Sequence, residues 1–248
     1  MDRDHALHAH YCEADRIMLG TLLFLFVASL GLSLWQDNWL PTLLIGLPAI
    51  AIPGLLVRSA SGSLPTRLTI ASAFMVFAAL HIHLSAGLIE VHFGIFVLLA
   101  FLLYYRDWRT VVIAAGVIAV HHVSFYYLQQ ARFGVYVLPQ ANGFGIIILH
   151  ALYVVLEAGV LIYLSVRLHR EAVEGAAVAA LAGAIGRGDL TGSVLADQAR
   201  QPLLHSVAAM QRSLVSTIAK VRREADDTAR ISTELLGVTS AIASDSLQ

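Results

Sequence analysis

A single cysteine, Cys12, in 248 residues excludes an internal disulfide. Charge is scarce too: Asp, Glu, Lys and Arg make up 13% of the chain and the formal net charge is -1. No run of Lys or Arg forms a phosphate-binding stripe, so nucleic acid is not an expected partner. No Cys-x-x-Cys-His attachment motif, paired zinc-ligand motif or Met-rich copper run occurs. Nor does a nucleophile, phosphate loop or acid pair suggest hydrolysis or group transfer, and no enzymatic activity is expected. The polar, acidic start MDRDHALHAHYCEADR leads into an apolar stretch with no small-residue cleavage site behind it. That is unlike a signal peptide, and the first apolar segment should stay in the mature protein.

What is abundant is apolar surface. Hydrophobic residues reach 58% and the mean hydropathy is +0.73, values that exclude a soluble domain of this length and predict a polytopic membrane protein. A span needs about 20 apolar residues, and candidates run Ile17 to Trp35, Leu40 to Val57, Leu68 to Leu88, Phe93 to Tyr105, Thr110 to Leu128 and Gly143 to Val166. The expected fold is all-α, a six-helix transmembrane bundle at 17–168 after a lead-in at 1–16. Pro41, Pro48 and Pro53 should kink the second span, because each removes a backbone donor and clashes with the preceding turn. Placing both termini in the cytoplasm puts Arg3, Arg16, Arg58, Arg67, Arg106, Arg109, Arg167 and Arg170 inside and leaves only Arg132 in an outer loop. That bias sets the orientation, with Trp35 and Trp39 at the outer interface.

Six of the 11 histidines, His81, His83, His92, His121, His122 and His150, sit inside or at the ends of these apolar segments. Ionisable groups there are costly and usually face a bundle interior or a functional cavity. At about 1.5 Å per residue, His81 lies roughly 21 Å from Arg67, His121 roughly 18 Å from Arg109 and His150 roughly 25 Å from Arg167. All three fall in the outer half of a core about 30 Å thick, level with Glu90 and His92 at the mouth of the fourth span. Residues two apart on a helix point to nearly opposite sides, and adjacent ones differ by about 100°. His81, His92, His121 and His150 are therefore the leading inward candidates, with His83 and His122 as substitutes. Neutral imidazoles from facing helices hold metal or haem in helical bundles, and carboxylates behind them fix the tautomer. Haem b, copper or zinc fits this set, with Glu90 and Glu157 as supporting carboxylates. Packing histidines satisfied by Ser85, Ser124, Tyr126, Tyr127, Tyr153 or backbone carbonyls is the plainer alternative. The stretch Tyr104 to Arg109 reads as a short cytoplasmic turn with an interfacial Trp108. The N-terminal His5, His8 and His10 with Cys12 and Glu13 could bind metal, but an acidic, solvated amphipathic lead-in is the preferred reading.

After Arg170 the chain turns Ala-rich and helical, until Gly186, Arg187, Gly188 and Asp189 interrupt it. A second amphipathic helix follows Pro202, with Leu203, Val207, Met210, Leu214 and Ile218 at four- and three-residue steps. Such a seam predicts a parallel dimer. Helix, connector Gly188-Asp189-Leu190-Thr191, then LLHSVAAMQRSLVSTIAKV, resembles a HAMP signal-relay module over 169–222. The rest, 223–248, is similar to the opening of the cytoplasmic helix of bacterial methyl-accepting chemotaxis proteins. The resemblance implies a homodimeric receptor of the bacterial inner membrane, with a chemotaxis kinase and adaptor as partners. It also implies a chain that stops before the signalling hairpin.

Two functions follow from this pattern. In the first, a sensory receptor registers a stimulus at the histidine cluster and passes it through the last span into the relay helices. In the second, a membrane b-type cytochrome or transition-metal transporter uses the histidines to carry electrons or ions. A transporter calls for polar residues through the whole thickness and broken helices in repeated halves. The inner half here is almost purely apolar, which favours the receptor.

Overall fold

A computed structural model describes residues 7–139, 143–191 and 202–245. They form helices joined by short turns, with no strand among the described residues. They divide into two compact units, Met1–Val173 and Glu174–Gln248.

The first unit opens with α1 (His8–Gln36). A π-turn at Thr42–Gly46 then leads into α2 (Leu47–Ala60). Pro48 explains the π-turn: it cannot donate to the carbonyl four residues back, and widening the preceding turn accommodates its ring. The sequence reading anticipated a proline kink here. Next come α3 (Leu64–Leu84), α4 (Ile89–Phe101) with a 3-10 turn at Leu102–Tyr105, and α5 (Trp108–Gln130). The long α6 (Gly145–Gly186) follows. Five helices among the described residues are long and apolar enough to cross a membrane, and the shorter Ile89–Tyr105 is the sixth apolar segment.

The centre of the unit is α3, packed against α1, α2, α4 and α5. Most of its side chains are buried, Ile70, Phe74, Met75, Phe77 and Ile82 completely. Lipid is as apolar as leucine, so association of such helices rests on close packing rather than escape from water. Small residues at the contacts make that packing possible: Ala14, Ala71 and Ala114 are fully buried. The outward faces carry Phe24, Leu34, Leu55, Val120 and Val155, all exposed as lipid-facing positions should be.

One end of this unit is held by charge. Arg67 is 1% exposed, and its Nη2 meets Asp107 Oδ2 at 3.1 Å. Its Nη1 donates to the Gly62 carbonyl at 2.8 Å, and its guanidinium lies 3.7 Å from the Tyr11 ring centre. Asp107 also accepts from Arg109 Nε at 2.8 Å and Nη2 at 3.0 Å, and caps α5 by accepting from the Arg109 backbone N–H at 3.1 Å. Beside this pair, fully buried Asp15 accepts from the Tyr105 hydroxyl at 2.9 Å, the Gly62 N–H at 2.6 Å and the Ser61 hydroxyl at 3.1 Å. The sequence reading assigned Asp15 to a solvated lead-in and Tyr104–Arg109 to a simple turn. Helix α1 begins eight residues into the chain, which carries Tyr11 and Asp15 into the core.

In the second unit, α6 ends in a Schellman cap. Gly188 has φ +80°, its N–H donates to Ile185 O at 2.9 Å, and Asp189 N–H donates to Ala184 O at 3.0 Å. Asp189 Oδ1 then accepts from the Thr191 N–H and hydroxyl at 3.0 and 2.7 Å, bonds that hold this carboxyl below the usual range. Helix α7 (Pro202–Asp245) follows, and Gln211 Nε2 donates to the Leu190 carbonyl of the connector at 2.8 Å. Val207 is half-buried, whereas Met210, Leu214 and Ile218 are exposed along α7. Leu203 lies in the helix, its side chain outside the described set.

Burial opposes ionisation of Asp107, but the Arg109 hydrogen bonds and the charges of Arg109 and Arg67 outweigh it and hold the carboxyl below the usual range. A carboxyl lowered on folding adds stability that is complete above its unfolded pKa, about 3.9, and is lost as pH falls through the folded value. Thermal melts of the detergent-solubilised protein should therefore weaken in acid below about pH 4, and Asp107→Asn should flatten that dependence. Removing one partner of a buried pair is costly, so Asp107→Ala should destabilise by about 3–5 kcal/mol in denaturant titrations.

Candidate functional site

At the opposite end, α5, which Asp107 caps, and its neighbours deliver histidines. His92 comes from α4, His121 and His122 from α5, and His150 from α6. The His92 ring centre lies 5.5 Å from those of both His122 and His150, and the latter two are 6.5 Å apart. His121 joins at the edge, 5.2 Å from His122 by ring centres, with Nδ1 atoms 3.4 Å apart. Of the two neighbours, His122 packs with both other rings, while His121 turns to Phe125 at 4.2 Å. The 100° step between adjacent helical residues produces this division.

His81 and His83 serve different places. His81 Nε2 donates towards Ser29 Oγ at 2.9 Å and the Leu25 carbonyl at 3.0 Å, tying α3 to α1. His83 Nδ1 accepts from the Tyr136 N–H at 3.3 Å, with the two rings stacked at 6.0 Å. Glu90 is exposed on the first turn of α4. Glu157 lies seven residues beyond His150, and its Oε2 is buried with no hydrogen-bond partner among the described residues.

Backbone carbonyls fix the orientation of the three central rings. His92 Nδ1 donates to Leu88 O at 3.0 Å, His122 Nδ1 to Ile118 O at 3.0 Å and His150 Nδ1 to Ile146 O at 2.8 Å. A carbonyl only accepts, so each Nδ1 carries the proton, and a neutral ring then has its lone pair on Nε2. His92 Nε2 lies 2.9 Å from the Val137 carbonyl. His92, His122 and His150 line a cavity of about 350 Å³ whose other walls are apolar, among them Ile95, Phe96, Ile118 and Val154. A second cavity, of about 420 Å³, is lined by His83, His121, Phe125 and further apolar side chains.

The segment after α5 closes this end like a strap. Gln129 Oε1 accepts from Val137 and Leu138 N–H at 2.8 and 3.2 Å, and its Nε2 donates to Leu138 O at 2.7 Å. Buried Val137 and Leu138 pack with Ile147, Phe125 and Tyr126 in a small second core. Gly87 lies directly beneath: its φ is +81°, and a Cβ there would stand 2.5 Å from the Leu138 carbonyl carbon. Sequence reasoning found the histidines but not this strap, whose site-facing atom is a backbone carbonyl. Gln129, a polar residue at the last turn of an apolar helix, was the one available signal.

At the N-terminus, His8 Nδ1 and Cys12 Sγ lie 3.5 Å apart and His10 Nε2 donates to Tyr104 O at 2.8 Å; His5 lies outside the described residues. Comparison with family models, curated proteins and solved structures finds no match.

Gly87→Ala should force the strap away from α3 and lower stability by more than about 1 kcal/mol in thermal melts. Gly134→Ala has a similar φ of +72° but open space around its Cβ, so it should cost less and leave the strap seated. Equal losses in the two variants would show that the close approach at Gly87 is immaterial.

Proposed function

We propose that the chain is a six-span sensory receptor of the bacterial inner membrane, of the chemotaxis-transducer kind. The histidines of the outer half register the stimulus, and a homodimeric HAMP-like module relays it. The observation that carries this reading is α6: one helix of 42 residues holds His150 near its start and continues without a breaker to Gly186. A change in packing around His150 acts on the helix that leads to the connector, and two-state relays need only a stimulus that binds one arrangement better. The cap at Gly188, the Asp189–Thr191 turn and the Gln211–Leu190 bond support the connector role of Gly188, Asp189 and Leu190. Exposed Met210, Leu214 and Ile218 support α7 as a helix that needs a partner. The arginine distribution supports cytoplasmic termini. A chemotaxis kinase and adaptor are the partners this reading implies downstream.

Disulfide cross-linking in native membranes tests the dimer, with Cys12→Ser as background. Single cysteines at Met210 and Leu214 should each form interchain disulfides with their own copy, because only a parallel, in-register pair brings identical positions together. Arg212→Cys, on the opposite face, should not. Cross-linking at Arg212 alone, or none at any position, removes the parallel relay and with it the receptor assignment.

A further inference from the structure

We propose that His92, His122 and His150 form a three-imidazole site for one divalent transition-metal cation, with zinc as the reference ion, bound through their Nε2 atoms. This rests on the receptor reading only in taking the site as its input; the geometry is independent. With a metal–nitrogen distance of about 2.0–2.1 Å, each ring centre lies roughly 3.2 Å from the ion, and rings spread between tetrahedral and trigonal angles stand about 5.2–5.5 Å apart. The observed separations are 5.5, 5.5 and 6.5 Å. Rotation of one side chain closes the last gap.

The tautomers point the same way. In metal sites the ligating histidine donates its other ring N–H to a carbonyl or carboxylate, which orients the ring and raises its basicity. All three rings already donate Nδ1–H to a carbonyl of their own helix, and the Nε2 atoms of His122 and His150 have no hydrogen-bond partner among the described contacts. As they stand, no three His, Cys, Asp or Glu side chains among the described residues are set to hold an ion. Two features separate the three rings from a formed site: His92 Nε2 faces the Val137 carbonyl at 2.9 Å, and the His122 and His150 rings are 6.5 Å apart. Facing a carbonyl that can only accept, the His92 Nε2 carries a proton as it stands, and ligation displaces that proton to free the lone pair. Ligation therefore exchanges the Val137 contact for the metal and loosens the strap at that point.

The same triangle disfavours haem. A haem ligated by His122 and His150 needs its macrocycle across the midpoint between them, and His92, 5.5 Å from both, stands within that footprint. Imidazole without thiolate suits zinc, copper or nickel rather than calcium or magnesium.

The test uses the full chain, purified in detergent, stripped with a chelator and titrated with zinc chloride or cobalt chloride. Calorimetry and elemental analysis should find one ion per chain. His122→Ala and His150→Ala should each weaken binding by at least about 100-fold, with circular dichroism confirming that they fold. His81→Ala, His8→Ala and Cys12→Ser should bind normally. The wild-type cobalt complex should show the strong visible absorption of a low-coordinate nitrogen site, a readout that needs no variant. No uptake, a weak six-coordinate cobalt spectrum, binding lost only in the His8 or Cys12 variant, or a co-purified Soret band lost in His122→Ala overturns the proposal. Failure of the receptor reading is seen separately: metal uptake without cross-linking at Met210 and Leu214 keeps this site and removes the receptor.

Discussion

Arg67 and Asp107 form a buried ion pair in a unit whose core is mainly aliphatic and aromatic, and the arrangement of its helices depends on them. Taking two such charges out of water costs several kcal/mol per ion, offset by close pairing and by hydrogen bonds that fill remaining positions, although Arg67 Nε is buried without a partner among the described residues. Here the filling groups come from three places: Arg109 at the start of α5, Gly62 in the turn before α3, and the Tyr11 ring of α1. Asp15 draws on the same turn and on Tyr105. Displacing α1, α3 or α5 separates these groups from the partners they have here. Apolar packing fixes how close helices come but discriminates poorly between registers, and this network supplies the register.

That register reaches the far end. Helices α3 and α5 run from the charged network to the histidines, so setting Arg67 against Asp107 also sets the heights of His81, His83, His121 and His122. Helix α5 thus connects a fixed polar anchor to a looser polar cluster, while α3 runs from Arg67 to the separately bonded His81 and His83. The anchor is satisfied by dedicated ion pairs, whereas the cluster is satisfied mostly by carbonyls within single helices and by the strap. Rings bonded only to their own helix backbone can swing towards a ligand without breaking contacts between helices. The exception is His92, whose bond to Val137 crosses to the strap.

The apolar segments, the proline-distorted second segment and the histidine set were legible in the sequence because each depends on composition or local spacing. Depth arithmetic also brought His92, His121 and His150 to one level. It could not separate His121 from His122, because a 100° step is decided by which neighbour each face meets. His81 shared the depth but not the site, since Ser29 and the Leu25 carbonyl of α1 claim its Nε2. Asp15 was missed for a related reason: an acidic residue before an apolar run looks solvated until the helix is known to start at His8. The carbonyls of Val137 and Gly62 carry no side-chain signature at all.

The two adjacent histidines of α5 bear on the separation between the cavities. His122 Nδ1–H is committed to Ile118 O at 3.0 Å, so the Nδ1 of His121, 3.4 Å away, faces it as a lone pair. A neutral His121 then carries its proton on Nε2, which is buried without a partner. Turning His122 Nε2 to a ligand in one cavity moves the Nδ1–H that His121 faces and changes the balance of a ring lining the other. Because the two rings share one turn of backbone, the coupling needs no movement of α5 itself. The two cavities, each apolar apart from its histidines, thus meet at the His121–His122 contact of α5.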